Sequence, residues 1–195
     1  LKITNLEYMQ ADILDLAKLD KKFDIIECCG VLHHMDDPMV GWRVLTDCLK
    51  TGGLMRISLY SQLGRQDVVK VREEIIQKGV GLSKDSMKSF RNYLIKSDKE
   101  HHKRITSSPD FDTLSTLRDL LFHVQEHRFN ILQIKDCMLI LGLRFCGFER
   151  NKIVDRFKRT HTGKDDPNDL EKWDQYEKAN TFTFGNCYQF WCQKI

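Results

Sequence analysis

At 195 residues the chain is long enough for one domain with a core of its own and too short for two of ordinary size. Its 31 Lys and Arg stand against 28 Asp and Glu, mixed along the sequence, and a net charge of +3 is too mild to argue for a nucleic-acid-binding surface. The longest apolar run, Cys137 to Leu143, is far too short to span a bilayer, and seven cysteines without CxxC spacing read as reduced thiols of a cytoplasmic protein.

In chain order, "NLEYMQAD" alternates apolar and polar residues up to Asp12 and predicts a strand, followed by a short amphipathic turn in "ILDLAKLDKK". "FDIIECC" is almost wholly apolar after its Asp, as expected of a strand covered on both faces in a parallel sheet. Asp36 or Asp37 can cap a helix opened by Pro38, with Val40, Val44, Leu45, Cys48 and Leu49 on one face and a stop at "KTGG", where Gly52 can turn left-handed. "LMRISLY" is a further strand, and the alternation of strand and helix specifies an α/β layered fold.

From Ser61 to about Asn130 the chain turns polar and helical. Helices are expected near Gln66 to Lys78, Lys84 to Ile95 with Ser83 as cap, and Thr113 to Val124, with "SSPDFD" as a turn. "NILQIKDCMLILGL" is a strongly apolar helix, "RFCGFE" and "CYQFWCQKI" are two last strands, and the charged stretch from Arg150 to Cys187 is read as loop with one short helix around Leu170 to Lys178. The expected organisation is a partial core over residues 1–60, a helical cap over 61–130, and a helix with an antiparallel strand pair over 131–195.

Taken together and in this order, "EYMQADILDL", "FDIIECCGVLHHMDDP", "LKTGGLMRISLYS", "LGLRFCGFE" and "CYQFWCQ" resemble the later motifs of class I S-adenosylmethionine-dependent methyltransferases. "SPDFDTLSTLRDLLFHVQEHRF" is similar to a subgroup often found behind tetratricopeptide repeats. The resemblance implies a Rossmann-like methyltransferase sheet, N-terminally truncated, with the cap inserted after the fifth strand. The glycine-rich loop and the ribose-binding carboxylate of that family would lie upstream of Leu1: either another part of the parent protein supplies them, or Leu6 to Asp12 pairs directly with Phe23 to Cys28, or the piece is unstable, and an upstream segment or repeat domain of the parent chain is the expected partner.

The resemblance also assigns roles. Asp12 would accept a hydrogen bond from the adenine amino group of S-adenosylmethionine, with Ile13 against the ring; the other reading of Asp12 is a cap of the next turn. Cys29 and Gly30 stand where a strand ends on the ligand side of the sheet, where Gly30 lets cofactor approach the backbone or simply makes a turn. Of the adjacent His33 and His34, one is expected to face the pocket and the other to pack, with His33 the better candidate for the acceptor side. His123, Glu126 and His127, with Asp110, Arg118 and Asp119, would line the acceptor pocket from the cap or fasten cap to core.

The methyl acceptor is expected to be a protein or a small molecule, with neither metal nor membrane involved. A catalytically inactive remnant or interaction module is the alternative. A more distant one starts from "HVQEH", which matches the HxxEH pattern of zinc peptidases and would need both histidines on one helical turn.

Overall fold

The computed structural model describes residues 4–149 and 151–195. Its sheet is built around strand β2 (Leu49–Ser61). Strand β1 (Phe23–Cys29) runs parallel to one edge of β2, and β5 (Cys187–Lys194) runs antiparallel to the other, with β4 (Leu143–Phe148) outside β5. A two-residue strand, β3 (Arg128–Phe129), pairs with β2 only at Tyr60 and Ser61. Met55, Ile57 and Leu59 of β2 are wholly buried, each contributing about 1.5–3 kcal/mol of apolar burial.

Helix α1 (Pro38–Cys48) begins where the sequence says it should: the Oδ1 of Asp37 accepts from the Met39 N–H at 2.8 Å, and proline, which has no N–H to lose, takes the first turn. Trp42 and Leu45 carry its inner face into a core shared with the sheet, α6 (Ile131–Ile140), α7 (Asn151–Lys158) and α8 (Leu170–Ala179). A separate apolar cluster holds together α2 (Gln66–Gln77), α3 (Lys84–Ile95), α4 (Glu100–Thr106) and α5 (Leu114–Leu121), through Val71, Phe90, Leu94, Ile105 and Leu117 among others. No helix among the described residues is long and apolar enough to cross a membrane.

The structure departs from the sequence expectations at identifiable places. Residues 5–12 form no strand, and β1 is not buried on both faces: only Cys28 is buried and Ile25 is 57% exposed. Among the described residues β1 has β2 as its single neighbour, so its apolar composition has nothing to pack against on the other side. Helix α1 stops at Cys48, and Gly52, at φ +79°, makes an irregularity at the start of β2 that shifts its register against β1. Helix α7 lies in a stretch read as loop, and α4 lies in the helical stretch at a place where no helix was expected; both are short and charged, and their buried anchors (His102 and Ile105; Ile153 and Phe157) are too few to mark a periodic stripe. Helix α5 ends at Leu121 rather than Val124, which releases residues 122–127 as a loop.

Candidate active site

At the carboxyl end of β1 the chain turns at Gly30, whose φ of +78° a side chain would disfavour, and enters a single 3-10 turn, Leu32–His34. The loop of residues 123–127 lies against this turn. The His127 N–H donates to the His33 carbonyl at 2.8 Å, and the Gln125 side-chain amide donates to the Met35 carbonyl at 3.2 Å. These bonds fasten the end of the cap to the end of β1.

Four rings stack through this junction. His33 lies on the Tyr60 ring with centroids 3.6 Å apart, the Arg65 guanidinium also sits over Tyr60 at 3.7 Å, and His34 stacks on His123 at 3.7 Å. The two adjacent histidines have opposite fates. His33 is buried, and neither ring nitrogen has a well-formed hydrogen bond; the nearby Ser58 main chain opposes its loss of basicity without satisfying it. Burial above all, then the electrostatic influence of His34, Arg65 and His123, pushes its pKa down to about 3.

His34, by contrast, is only half buried and lines an open cavity. Its Nδ1–H donates to the Gln125 carbonyl at 2.9 Å, which leaves the lone pair on Nε2, 3.4 Å from the Tyr60 hydroxyl. Burial also lowers its pKa, against the Gln125 bond. The expectation that His33 faces the acceptor side is therefore corrected: His33 packs under Tyr60, and His34 meets the cavity.

That cavity, about 530 Å³, is lined by Asp12, Ile13, Leu14, Val31, His34, Met35, Asp36, Asp37 and Val40. A cavity of about 430 Å³ beside α7 and α8 shares none of these residues. Asp12 and Ile13 thus stand on one wall and His34 on another. Asp12 does cap the turn after it, its Oδ1 accepting from the Leu14 N–H at 2.8 Å. Cys29 and Gly30 are exposed just before Val31 and do not line the cavity themselves. A smaller cavity of about 140 Å³ on the other side of Tyr60 is bordered by Arg65, Asp110, Thr116, Asp119 and Cys187; Arg118 is not among its walls.

Glu126 lies behind the rings. Its carboxylate, 2% exposed, takes Arg65 in a two-pronged pair, Nε to Oε1 at 2.9 Å and the terminal nitrogen to Oε2 at 2.6 Å, with Arg72 at 3.3 Å and Arg128 at 3.5 Å. Arg72 also donates to the His123 carbonyl at 2.7 Å. With both oxygens committed, Glu126 fixes the loop and Arg65 rather than meeting a ligand. "HVQEH" is not on a helix, so the spacing that would bring His123 and His127 to one ion is absent: Nδ1 of His123 donates to Gln125 O at 2.8 Å, and Nε2 of His127 contacts the Gln125 amide at 3.3 Å. The zinc-peptidase reading fails on that geometry.

Sequence reasoning missed Gln125, whose carbonyl and amide bind both sides of the junction, because the flanking histidines carried the visible pattern. It also missed Arg72 and Arg128, which no local motif marks.

The opening of the chain, residues 1–57, matches the family model of the methyltransferase domain. The structure of PKMT2 from Rickettsia typhi superposes over 99% of the chain with a TM-score of 0.70 at 20% identity, and the same protein in complex with AdoHcy does so with a TM-score of 0.69 at 18% identity. The chain has the α/β fold of these structures. In a methyltransferase sheet the carboxyl ends of the parallel strands are the ligand side, and the 530 Å³ cavity opens there. An uncharacterised protein of Synechococcus is 28% identical over 185 residues, 88% of this chain. The chain spans 43% of the length of that relative and 39–40% of the two Rickettsia structures.

Proposed function

We propose that the chain is part of an S-adenosylmethionine-dependent methyltransferase that acts on a protein or small-molecule acceptor. The observation that carries this is the cavity joining Asp12 and Ile13 to His34 at the carboxyl end of β1. Its walls fit the nucleoside end of the cofactor. Ile13, Leu14, Val31 and Val40 offer apolar surface for a ring, and Asp12 offers a carboxylate, an acceptor for an exocyclic amine. No atom lies within 4 Å of where a Cβ would stand at Gly30, so the backbone there is open to close approach. An additional segment of the parent protein, beyond these residues, would complete the cradle, and the relatives are more than twice as long as the chain.

The sulfonium supplies an already activated methyl group, so the chain's own task is to align the acceptor and take up its proton. His34 is the group built for the second task. Gln125 and His123 hold its ring and fix the proton on Nδ1, so Nε2 presents a lone pair beside the Tyr60 hydroxyl. Its depressed pKa keeps the imidazole neutral at physiological pH. His33, His123 and Glu126 act as positioning residues, His33 by supporting Tyr60 and Glu126 by pinning Arg65 over it.

The test is the pH dependence of methyl transfer by the full-length protein. An acid limb is expected below pH 6.5, and His34→Gln should remove that limb and lower turnover by about 10²–10⁴-fold with little effect on cofactor affinity. Unchanged turnover in His34→Gln would overturn its role.

A further inference from the structure

A second histidine cluster lies in the helical cap. Glu74, near the end of α2, meets the adjacent His101 and His102 in the first turn of α4. Nε2 of His101 lies 3.0 Å, and Nε2 of His102 3.1 Å, from the same carboxylate oxygen, Oε1, and the three potential ligand atoms all fall within 4.8 Å of one another. Successive helix residues point about 100° apart, yet these two rings, with centroids 4.4 Å apart and planes at 68°, reach one point from different sides.

Two of the three separations are close to those of a coordination shell, and the two histidine nitrogens, within 4.8 Å, would close on the ion by side-chain rotation. Zinc bonds of about 2.0–2.2 Å to nitrogen and oxygen set tetrahedral ligands roughly 3.4 Å apart, so the two nitrogen-to-oxygen separations need to open by only a few tenths of an ångström. His102 is fully buried, while the side chains of Glu74 and His101 keep 15% and 20% of their exposure, which leaves a way in from solvent. Without an ion the Glu74 carboxylate accepts from the Nε2–H of His102 while Nδ1 has no hydrogen-bond partner, so ligation requires the proton to pass from Nε2 to the free Nδ1. The Glu74 carboxylate brings the negative charge of the site.

One cation already answers this charge. Lys99 Nζ sits 2.8 Å from Oε1, and the Tyr93 hydroxyl lies 3.4 Å from Oε2. The Lys99 side chain is 51% exposed and can swing into water without a burial penalty.

We propose that Glu74, His101 and His102 form a binding site for a divalent transition ion of the zinc class, with the Lys99 ammonium holding the place when the ion is away. Two imidazole nitrogens with one carboxylate suit zinc and disfavour the hard cations calcium and magnesium, which take oxygen ligands. Three protein ligands leave one position for water. The ion would join the end of α2 to the start of α4 and so brace the cap from which the 123–127 loop descends. This site is independent of the methyl-transfer reading and of the "HVQEH" pattern.

The experiment is titration of chelator-treated protein with zinc alone, followed by calorimetry and by thermal melting, with cobalt(II) absorption as a geometry probe. One equivalent should bind saturably, raise the melting temperature and give the intense visible bands of tetrahedral cobalt. His101→Ala, at a partly exposed position, should weaken binding at least about tenfold, since losing a ligand costs no less than losing a ligand's support. Lys99→Ala should tighten it by removing the competing ammonium, and His127→Ala should leave it unchanged. Absence of saturable binding below millimolar zinc, binding indifferent to His101→Ala, or binding abolished by His127→Ala would each overturn the proposal.

Discussion

Removing the Glu126 carboxylate should cost the protein far more than an ordinary ion pair would suggest. In Glu126→Ala the Arg65 guanidinium, whose side chain is 1% exposed, loses both prongs of its pair and keeps only the Leu120 carbonyl at 3.2 Å and the face of Tyr60. Arg72 and Arg128, with side chains 22% and 35% exposed, can turn to water, but Arg65 cannot. An uncompensated buried charge of this kind costs about 3–5 kcal/mol. At about 2–4 °C of melting temperature per kcal/mol for a chain of this size, the expected shift is roughly 6–20 °C downward. The assay is urea unfolding at neutral pH, with Arg65→Met/Glu126→Leu alongside. Because the double variant leaves no orphaned charge at position 65, it should recover much of the loss. A loss below about 1 kcal/mol in Glu126→Ala, or a double variant worse than the single one by the full cost of a second independent loss, would refute this reading of Glu126 as a structural clamp.

Other expectations follow from the same junction and from the core behind it. The folded pKa of His33, at about 3, lies below its unfolded value of 6.5, so the unfolded chain binds the extra proton and stability is lost as pH falls from 6.5 toward 3, by up to about 4–5 kcal/mol. His33→Phe keeps the stack on Tyr60, sacrifices no hydrogen bond, and should stay within about 1.5 kcal/mol of the parent at pH 7 while flattening that acid limb in urea titrations. Glu177 behaves in the opposite sense. Burial raises its pKa above 4.5, against the hydroxyls of Tyr188 at 2.6 Å and Ser61 at 2.9 Å. The folded carboxyl therefore binds its proton more tightly than the unfolded one, and stability declines as pH rises from 4.5 through the folded value; Glu177→Gln should abolish that slope in the same titration. Gly64→Ala should destabilise strongly, because its Cβ would stand 1.5 Å from the Gly185 carbonyl oxygen, and melting that stays within a degree or two of the parent would show that the two loops can part.

Where local chemistry decides an element, the sequence reads it well. Asp37 and Pro38 open α1, Ser83 caps α3, and the apolar run from Ile131 gives α6 almost to the residue. Where a neighbour decides, the pattern misleads. "FDIIECC" has the composition of a doubly covered strand, yet its place at the edge of the described sheet exposes it, and the alternation before Asp12 finds no strand to pair with. The site divides the same way. Asp12 and Ile13 line the cavity beside His34 because a short turn and the end of β1 are enough to bring them there. Which of two adjacent histidines faces that cavity depends on Tyr60, Gln125 and the loop after α5, over 20 residues or more of separation in sequence, and no pattern around position 33 encodes it. "HVQEH" shows the hazard of spacing alone: its meaning required a helix, and α5 stops at Leu121, before the pattern begins.

The most direct measurement is calorimetry of S-adenosylhomocysteine binding to the full-length protein and to its Asp12→Ser variant. Serine at that position still caps the turn, since its hydroxyl can accept from the Leu14 N–H, but it cannot also reach into the cavity. If the cavity holds the nucleoside as proposed, affinity should fall by about 1–3 kcal/mol while the melting temperature of the unliganded protein stays unchanged. Equal affinity in the two proteins, or a drop in melting temperature with no change in affinity, would make Asp12 a cap and nothing more and would remove the cofactor from this cavity.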